Sequence, residues 1–204
     1  MAVRRTQQER TAATTNDLLG AARAHFARDG YAAASVDAIC VQAGITKGAL
    51  YHHFRGKQAL FQAVYEAEQH RLREAIAAAH HRCPDPWDGM YEGVRAFLGL
   101  SLEPGTQRIT LLDAPGALGW PLMREIRADC RRMTERGLVQ AYGDGPPPAP
   151  ELEAQVALLY GAQCESAMAI AHAPEPAGRQ EAALAQFRLL LDALRAGAGR
   201  GASA

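Results

Sequence analysis

Residues 35–57, SVDAICVQAGITKGALYHHFRGK, concentrate side chains suited to holding a polyanion. Lys47 carries an ammonium that can reach a base acceptor or a phosphate, and Tyr51, His52 and His53 can donate to phosphate oxygens. Lys57 follows at the start of the next helical stretch, where it can clamp a backbone phosphate. Gly48 has no side chain, so the backbone can approach a surface closely there. A helix opened by Thr46 adds free N–H groups and the positive end of its dipole. The chemistry these residues suit is non-covalent recognition of a phosphate-rich groove.

Two short helices must position them. Ser35 opens one whose inner face is Val36, Ile39 and Cys40, and Gly44 ends it; Thr46 opens another that runs to about Phe54. Only Gly44 and Ile45 separate Ala43 from Thr46, which is helix-turn-helix spacing with the Gly that such turns commonly contain. Val36, Ile39, Ile45, Leu50 and Phe54 can form a small core fixing the angle between the helices. Leu50 and Phe54 take the inward i, i+4 positions, so Tyr51 reads as outward-facing. His52 and His53 also suit a metal pair or a titrating switch, and His53 partial burial.

GITKGALYHHFRGKQAL closely resembles the recognition helix and following turn of the TetR family of bacterial transcriptional regulators, and LLGAARAHFARDGYAAASVDAICVQAG extends the resemblance over roughly residues 15–65. It implies an N-terminal three-helix DNA-binding domain, a linking fourth helix, a C-terminal helical ligand-binding domain and a homodimer. By the same resemblance Thr46, Lys47, Gly48 and Ala49 match positions that enter the major groove. Tyr51, His52, His53 and Lys57 match backbone-contacting positions, and Ser35 and Val36 match the start of the supporting helix. Gly56 stands where Ser or Asn is common and Gln58 where Glu is common, which weakens the expected cap of the fourth helix. Lys47 and Gly48 occur in members with different operators, so base choice is expected to depend also on Val36, Asp37 and DNA shape.

Composition agrees with a DNA-facing, positive end on a chain whose total charge is zero. The 204 residues carry 22 Lys+Arg against 22 Asp+Glu, yet residues 1–57 hold eight basic and four acidic side chains. The two lysines, Lys47 and Lys57, both lie in the recognition segment. Arg4, Arg5 and Arg10 read either as an arm into the minor groove or as a solvated tail. Hydrophobic content of 48% with 22% charged residues excludes a disordered chain, and no apolar run reaches the roughly 18–20 residues of a membrane span. Met1 to Thr15 has no apolar run, so no signal peptide and a cytoplasmic, bacterial location are expected. Cys40, Cys83, Cys130 and Cys164 are scattered and read as reduced. His80, His81 and Cys83 lack a fourth ligand, so neither a metal nor another cofactor is expected. No G-x-S-x-G, metal motif or phosphate loop appears, so the chain does not read as an enzyme.

Helical periodicity and abundant alanine give an all-α fold of about nine helices. Leu19, Ala22 and Phe26 mark a first helix from about Thr15 to the Asp29-Gly30 pair, and a fourth runs to about Arg82. SLEPGTQR (101–108) and Ala114-Pro115-Gly116 read as breaks, and helices are expected over 121–142, 151–172 and 179–195. The expected organisation is a DNA-binding domain over 1–57, with 1–14 a flexible basic arm, and an effector-binding and dimerisation domain over 58–204, with 196–204 a flexible tail. Leu152, Ala157 and Gly161 with Leu184, Phe187, Leu191 and Leu194 are the expected dimer seam. Trp87, Phe97, Leu111, Trp120 and Met123, together with Tyr160, Cys164 and Met168, are the expected lining for an apolar or aromatic small-molecule effector. Asp113 is expected to pair with a cationic ligand or to cap the helix opened by Pro115. The reading is a dimeric repressor released from a palindromic operator by an effector; the alternative is a DNA-binding protein whose C-terminal domain docks a protein partner without any effector.

Overall fold

The computed structural model describes residues 7–201, with side chains for 14–198. Regular structure among these residues is entirely helical: α1 (Gln7–Ala33), α2 (Val36–Ala43), α3 (Lys47–His53), α4 (Lys57–His81), α5 (Pro86–Ser101), α6 (Pro104–Gln107), a π-helical stretch Arg108–Asp113, α7 (Ala114–Leu118), α8 (Trp120–Ile126), α9 (Ala128–Tyr142), α10 (Ala149–Ala171) and α11 (Pro176–Gly201). The segments outnumber the nine expected for two reasons. Pro104 and Pro115, read as breakers, sit in first turns, where a missing N–H is tolerated. The helix expected over 121–142 is interrupted at Arg127.

Other boundaries also moved. Residues 1–6 of the expected arm lie outside the described residues, whereas 7–14 are helical. The Ala/Gly run expected to fray continues α11 to Gly201, in keeping with alanine's helix propensity; residues 202–204 lie outside.

The chain divides into two compact units, and the division falls inside α4 rather than between residues 57 and 58. The first holds the described residues up to Glu68 together with Pro104–Trp120. Its core is Leu18, Ala22 and Phe26 of α1, Ile39, Leu50, the α4 residues Leu60, Phe61, Val64 and Tyr65, and Ile109. Leu18, not Leu19, is the fully buried leucine of α1. The Phe61 ring meets Phe26 and Tyr31 edge-on, at 5.0 and 4.9 Å between centroids.

Polar ties explain why 104–120 belongs to this unit. Glu68, 2% exposed, accepts from Arg23 Nε at 2.5 Å and from the Thr106 hydroxyl at 2.9 Å. Gln58 Nε2 donates to the Ala117 carbonyl at 2.8 Å, and the Tyr31 N–H donates to Asp113 at 2.7 Å. The break in α1 is at Gly30, whose φ of 79° belongs to the left-handed region glycine tolerates.

The second unit holds Gln69–Glu103 and the described residues from Pro121 onward. Trp87, Met90, Val94 and Leu98 form the inner stripe of α5, and Leu138, Val156, Leu159, Ile170, Phe187 and Leu191 complete the core. A Cβ at Gly137 would meet the Met90 sulfur, so this glycine lets α9 approach α5. Asp85 caps α5, accepting from the Trp87 and Asp88 N–H groups at 2.9 and 3.1 Å, and pairs with Arg195 at 2.8 Å. Arg188 bonds Asp88 at 2.6 Å and lies 3.8 Å over the Tyr91 ring, a second link from α11 to α5.

Candidate nucleic-acid interface

Local chemistry fixes the two helices at both starts and at the turn. The Ser35 hydroxyl accepts from the Ala38 N–H at 3.4 Å and the Thr46 hydroxyl from the Ala49 N–H at 3.1 Å, each satisfying an orphan donor of its helix. Between them Gly44 is left-handed, with φ 67° and ψ 29°, and its N–H bonds the Val41 carbonyl at 3.2 Å. The Ile45 N–H returns to the Cys40 carbonyl at 3.0 Å. Ile39 and Leu50 are fully buried, whereas Val36, Ile45 and Phe54 are half-buried. Cys40 lies in the same core, and burial pushes its thiol up, keeping it neutral.

This packing leaves Ser35, Thr46, Lys47, Gly48, Tyr51 and His52 exposed, and Ala49 and His53 half-buried. Two side chains are not free in the way the sequence suggested. Lys47 Nζ lies 2.8 Å from Asp37 Oδ1, and the hydrogen bond to that carboxylate pushes its ammonium above the ordinary value. Lys57 Nζ donates to the Ala32 carbonyl at 2.9 Å and sits 5.0 Å from the centre of the Tyr31 ring, tying the start of α4 to the end of α1. An ammonium has three donors, so the others can still turn to phosphate. Sequence reasoning named Asp37 for base choice but missed its pairing, and missed Val41, which is 82% exposed. Both stand one helical turn apart on α2, off the Ile39–Cys40 side, and that periodicity was the available signal. His52 and His53 meet edge-on at 5.7 Å, and no group of three or more His, Cys, Asp or Glu among the described residues is placed to hold a metal ion.

The nine residues expected around an effector do not gather in one unit. Leu111, Asp113 and Trp120 belong to the first. Leu111 is buried and Trp120 is 67% exposed. Asp113 makes no cap bond, because its carboxylate is taken by the Tyr31 N–H and, at 3.3 Å, by Arg108. The second unit holds the other six. Trp87 is a core residue against the Tyr142 ring at 5.2 Å, and Met123 is 2% exposed. Phe97, Tyr160, Cys164 and Met168 are half-buried. Burial pushes both the Tyr160 phenol and the Cys164 thiol up, so each stays neutral.

The expected dimer seam lies within the second unit but differs in exposure. Phe187 and Leu191 are 3% and 2% exposed and point into their own unit, whereas Ala157 and Gly161 are exposed and Leu152, Leu184 and Leu194 are half-buried. The large apolar side chains left open on the described residues of this pair of helices are Leu158, Leu189 and Leu190, at 73%, 61% and 48% exposure.

Capped short helices, a left-handed glycine turn and an exposed lysine at the start of the second helix define a helix-turn-helix DNA-binding protein. Residues 18–64 match the family described as "Bacterial regulatory proteins, tetR family", and residues 87–194 match "Tetracyclin repressor-like, C-terminal domain". The chain belongs to the TetR family of bacterial transcriptional regulators. It is similar to a TetR-family transcriptional regulator from Pectobacterium atrosepticum, with 34% identity, a TM-score of 0.78 and coverage of 92% of this chain and 96% of that one. It is also similar to the Transposon Tn10 TetC protein of Escherichia coli, 29% identical over 59% of this chain, and to the transcriptional regulator UidR of Escherichia coli strain K12, 42% identical over 33%. The chain spans 60% and 36% of the lengths of these two curated relatives. The fold, at 14% identity and a TM-score of 0.69, is shared with Bacillus subtilis FadR, solved in complex with stearoyl-CoA. The chain is thus a DNA-binding transcriptional regulator rather than an enzyme, and no helix among its described residues is long and apolar enough to cross a membrane.

Proposed function

We propose that the chain works as a homodimer that represses by holding a palindromic operator and lets go when a small molecule binds its C-terminal unit. The observation that carries the two-fold reading is the uncovered apolar surface of α10 and α11. Ala154, Ala157, Leu158 and Gly161 make one exposed stripe, and Ala182, Ala185, Leu189 and Ala193 make another at i, i+3, i+7, i+11. Small residues beside leucines permit close helix approach, and a second copy presents the same surface around a two-fold axis. A palindromic operator presents its two half-sites in successive major grooves, which lie about 34–36 Å apart, and a two-fold dimer matches that symmetry.

The effector is supported by membership of the family and by the stearoyl-CoA held by a protein of the same fold. Tyr160 and Cys164 are half-buried polar groups of the second unit, within reach of the Arg127 charge, and a few placed polar groups are what small-molecule sites use to orient a ligand. To shift an operator-competent population from 99:1 to 1:99 the effector needs about 5.5 kcal/mol of preference for the released form. The test is selection of bound sequences from a random duplex library by the purified protein. A palindrome with half-sites one helical turn apart is expected, and salt-sensitive binding without enrichment would overturn the reading.

A further inference from the structure

Asp37 and Lys47 begin neighbouring helices, and their charged ends meet at 2.8 Å while the side chains remain 70% and 54% exposed. The caps Ser35 and Thr46 and the buried Ile39 and Leu50 hold the two backbones that carry the pair. An acid at this place opposes DNA binding in general. Every phosphate repels it, and it neutralises a lysine that would otherwise displace a counterion. An exposed ion pair also adds little to stability. A device that weakens general binding and stabilises little is explained by what it rejects.

In the major groove guanine offers the acceptors O6 and N7, and its partner cytosine offers the N4 amine beside them. An ammonium and a carboxylate in contact present the complementary pattern, donor beside acceptor. We propose that Asp37 is a specificity-determining residue, and that the Asp37–Lys47 pair reads one G·C base pair in each half-site, with Lys47 donating to guanine and Asp37 accepting from the cytosine amine. Reversing the base pair sets the carboxylate against guanine O6. An A·T pair sets it beside adenine N7 and thymine O4, which flank the one available amine and repel the second carboxylate oxygen. This inference rests on the reading in which α3 enters the major groove of a selected operator.

The experiment titrates the full-length protein and its Asp37→Asn, Asp37→Ala and Lys47→Met variants, by fluorescence anisotropy, against three kinds of duplex. These are the selected operator, the operator with each half-site base pair exchanged in turn, and a random duplex. For the wild type, exchange of one G·C pair is expected to weaken binding by roughly 5- to 150-fold. All three variants should reduce that penalty to a few-fold and leave the penalties at other positions intact. The two Asp37 variants should also bind random duplex more tightly, with a salt slope steeper by about 0.9 per chain. Unchanged helical content and sedimentation show that the exposed substitutions leave the fold in place. Variants that keep the wild-type penalty at every position, or lose it evenly across the site, overturn the role of the pair. A wild type that discriminates between no sequences overturns the operator reading itself, and the two failures are distinguished by the wild-type titration.

Discussion

The backbone N–H of Tyr31 donates to a carboxylate 82 residues further along the chain, with 2.7 Å between the nitrogen and Asp113 Oδ2. The break in α1 at Gly30 makes Tyr31 the start of a new turn, whose N–H groups have no acceptor within the helix. Asp113 supplies one and ties the π-helical stretch to the end of α1 within the unit that carries α3, while Arg108 neutralises its charge from 3.3 Å.

Asp113→Ala removes that acceptor and leaves the Tyr31 N–H without a protein partner. Stability should fall by about 1–3 kcal/mol, read as a lower urea midpoint. Asp113→Asn keeps an oxygen in place and should lose less. An alanine variant as stable as wild type would show that water replaces the bond fully.

Arg23 balances Glu68, a carboxylate only 2% exposed. Arg23→Met keeps much of the side-chain volume and removes the charge, so unfolding should become easier by about 1.5–3 kcal/mol. Arg23→Lys should recover part of the loss through a single donor, which a purely steric role would not require. Thermal unfolding of the three proteins separates these outcomes.

Acid should weaken the α5–α11 connection in a defined direction. The Asp88 and Trp87 N–H groups and Arg195 hold the Asp85 carboxyl below its ordinary value. A carboxylate whose folded value is depressed stabilises the protein above its unfolded value, about 3.9, and loses that contribution as pH falls through the folded value. Asp85→Asn should therefore have a lower Tm than wild type at pH 7, with the difference closing as pH falls below the unfolded value and through the depressed folded one. A constant difference across that range would assign the effect to packing.

Much of this arrangement was legible because it is local. The Ser35 and Thr46 caps, the Gly44 turn and the inward Ile39 and Leu50 follow from spacing over a few residues. Partners distant in sequence were not legible. Nothing near Asp113 announces Tyr31, and nothing near Glu68 announces Thr106, so the fold's division inside α4 and the place of 104–120 emerged only from the structure. Which apolar side chains of α10 and α11 stay open was not legible for a different reason. Three leucines in succession, Leu189, Leu190 and Leu191, point about 100° apart, so only one can face the core, and the strongest apolar stripe is spent on the subunit's own interior.

The seam proposed on α10 and α11 separates from that interior by mutation. Leu158→Glu and Leu189→Glu place charges on exposed positions and should yield a folded monomer by sedimentation. Phe187→Ala should instead lose about 3–5 kcal/mol of stability, because it empties a core position. Glutamate variants that remain dimeric would put the seam elsewhere.

Native mass spectrometry of the wild-type protein with its selected duplex and with an isolated half-site tests the central claim most directly. Two chains on the full duplex, and binding at least a hundredfold weaker to the half-site, is the result the dimeric reading requires. One chain held equally well by each half-site would contradict it.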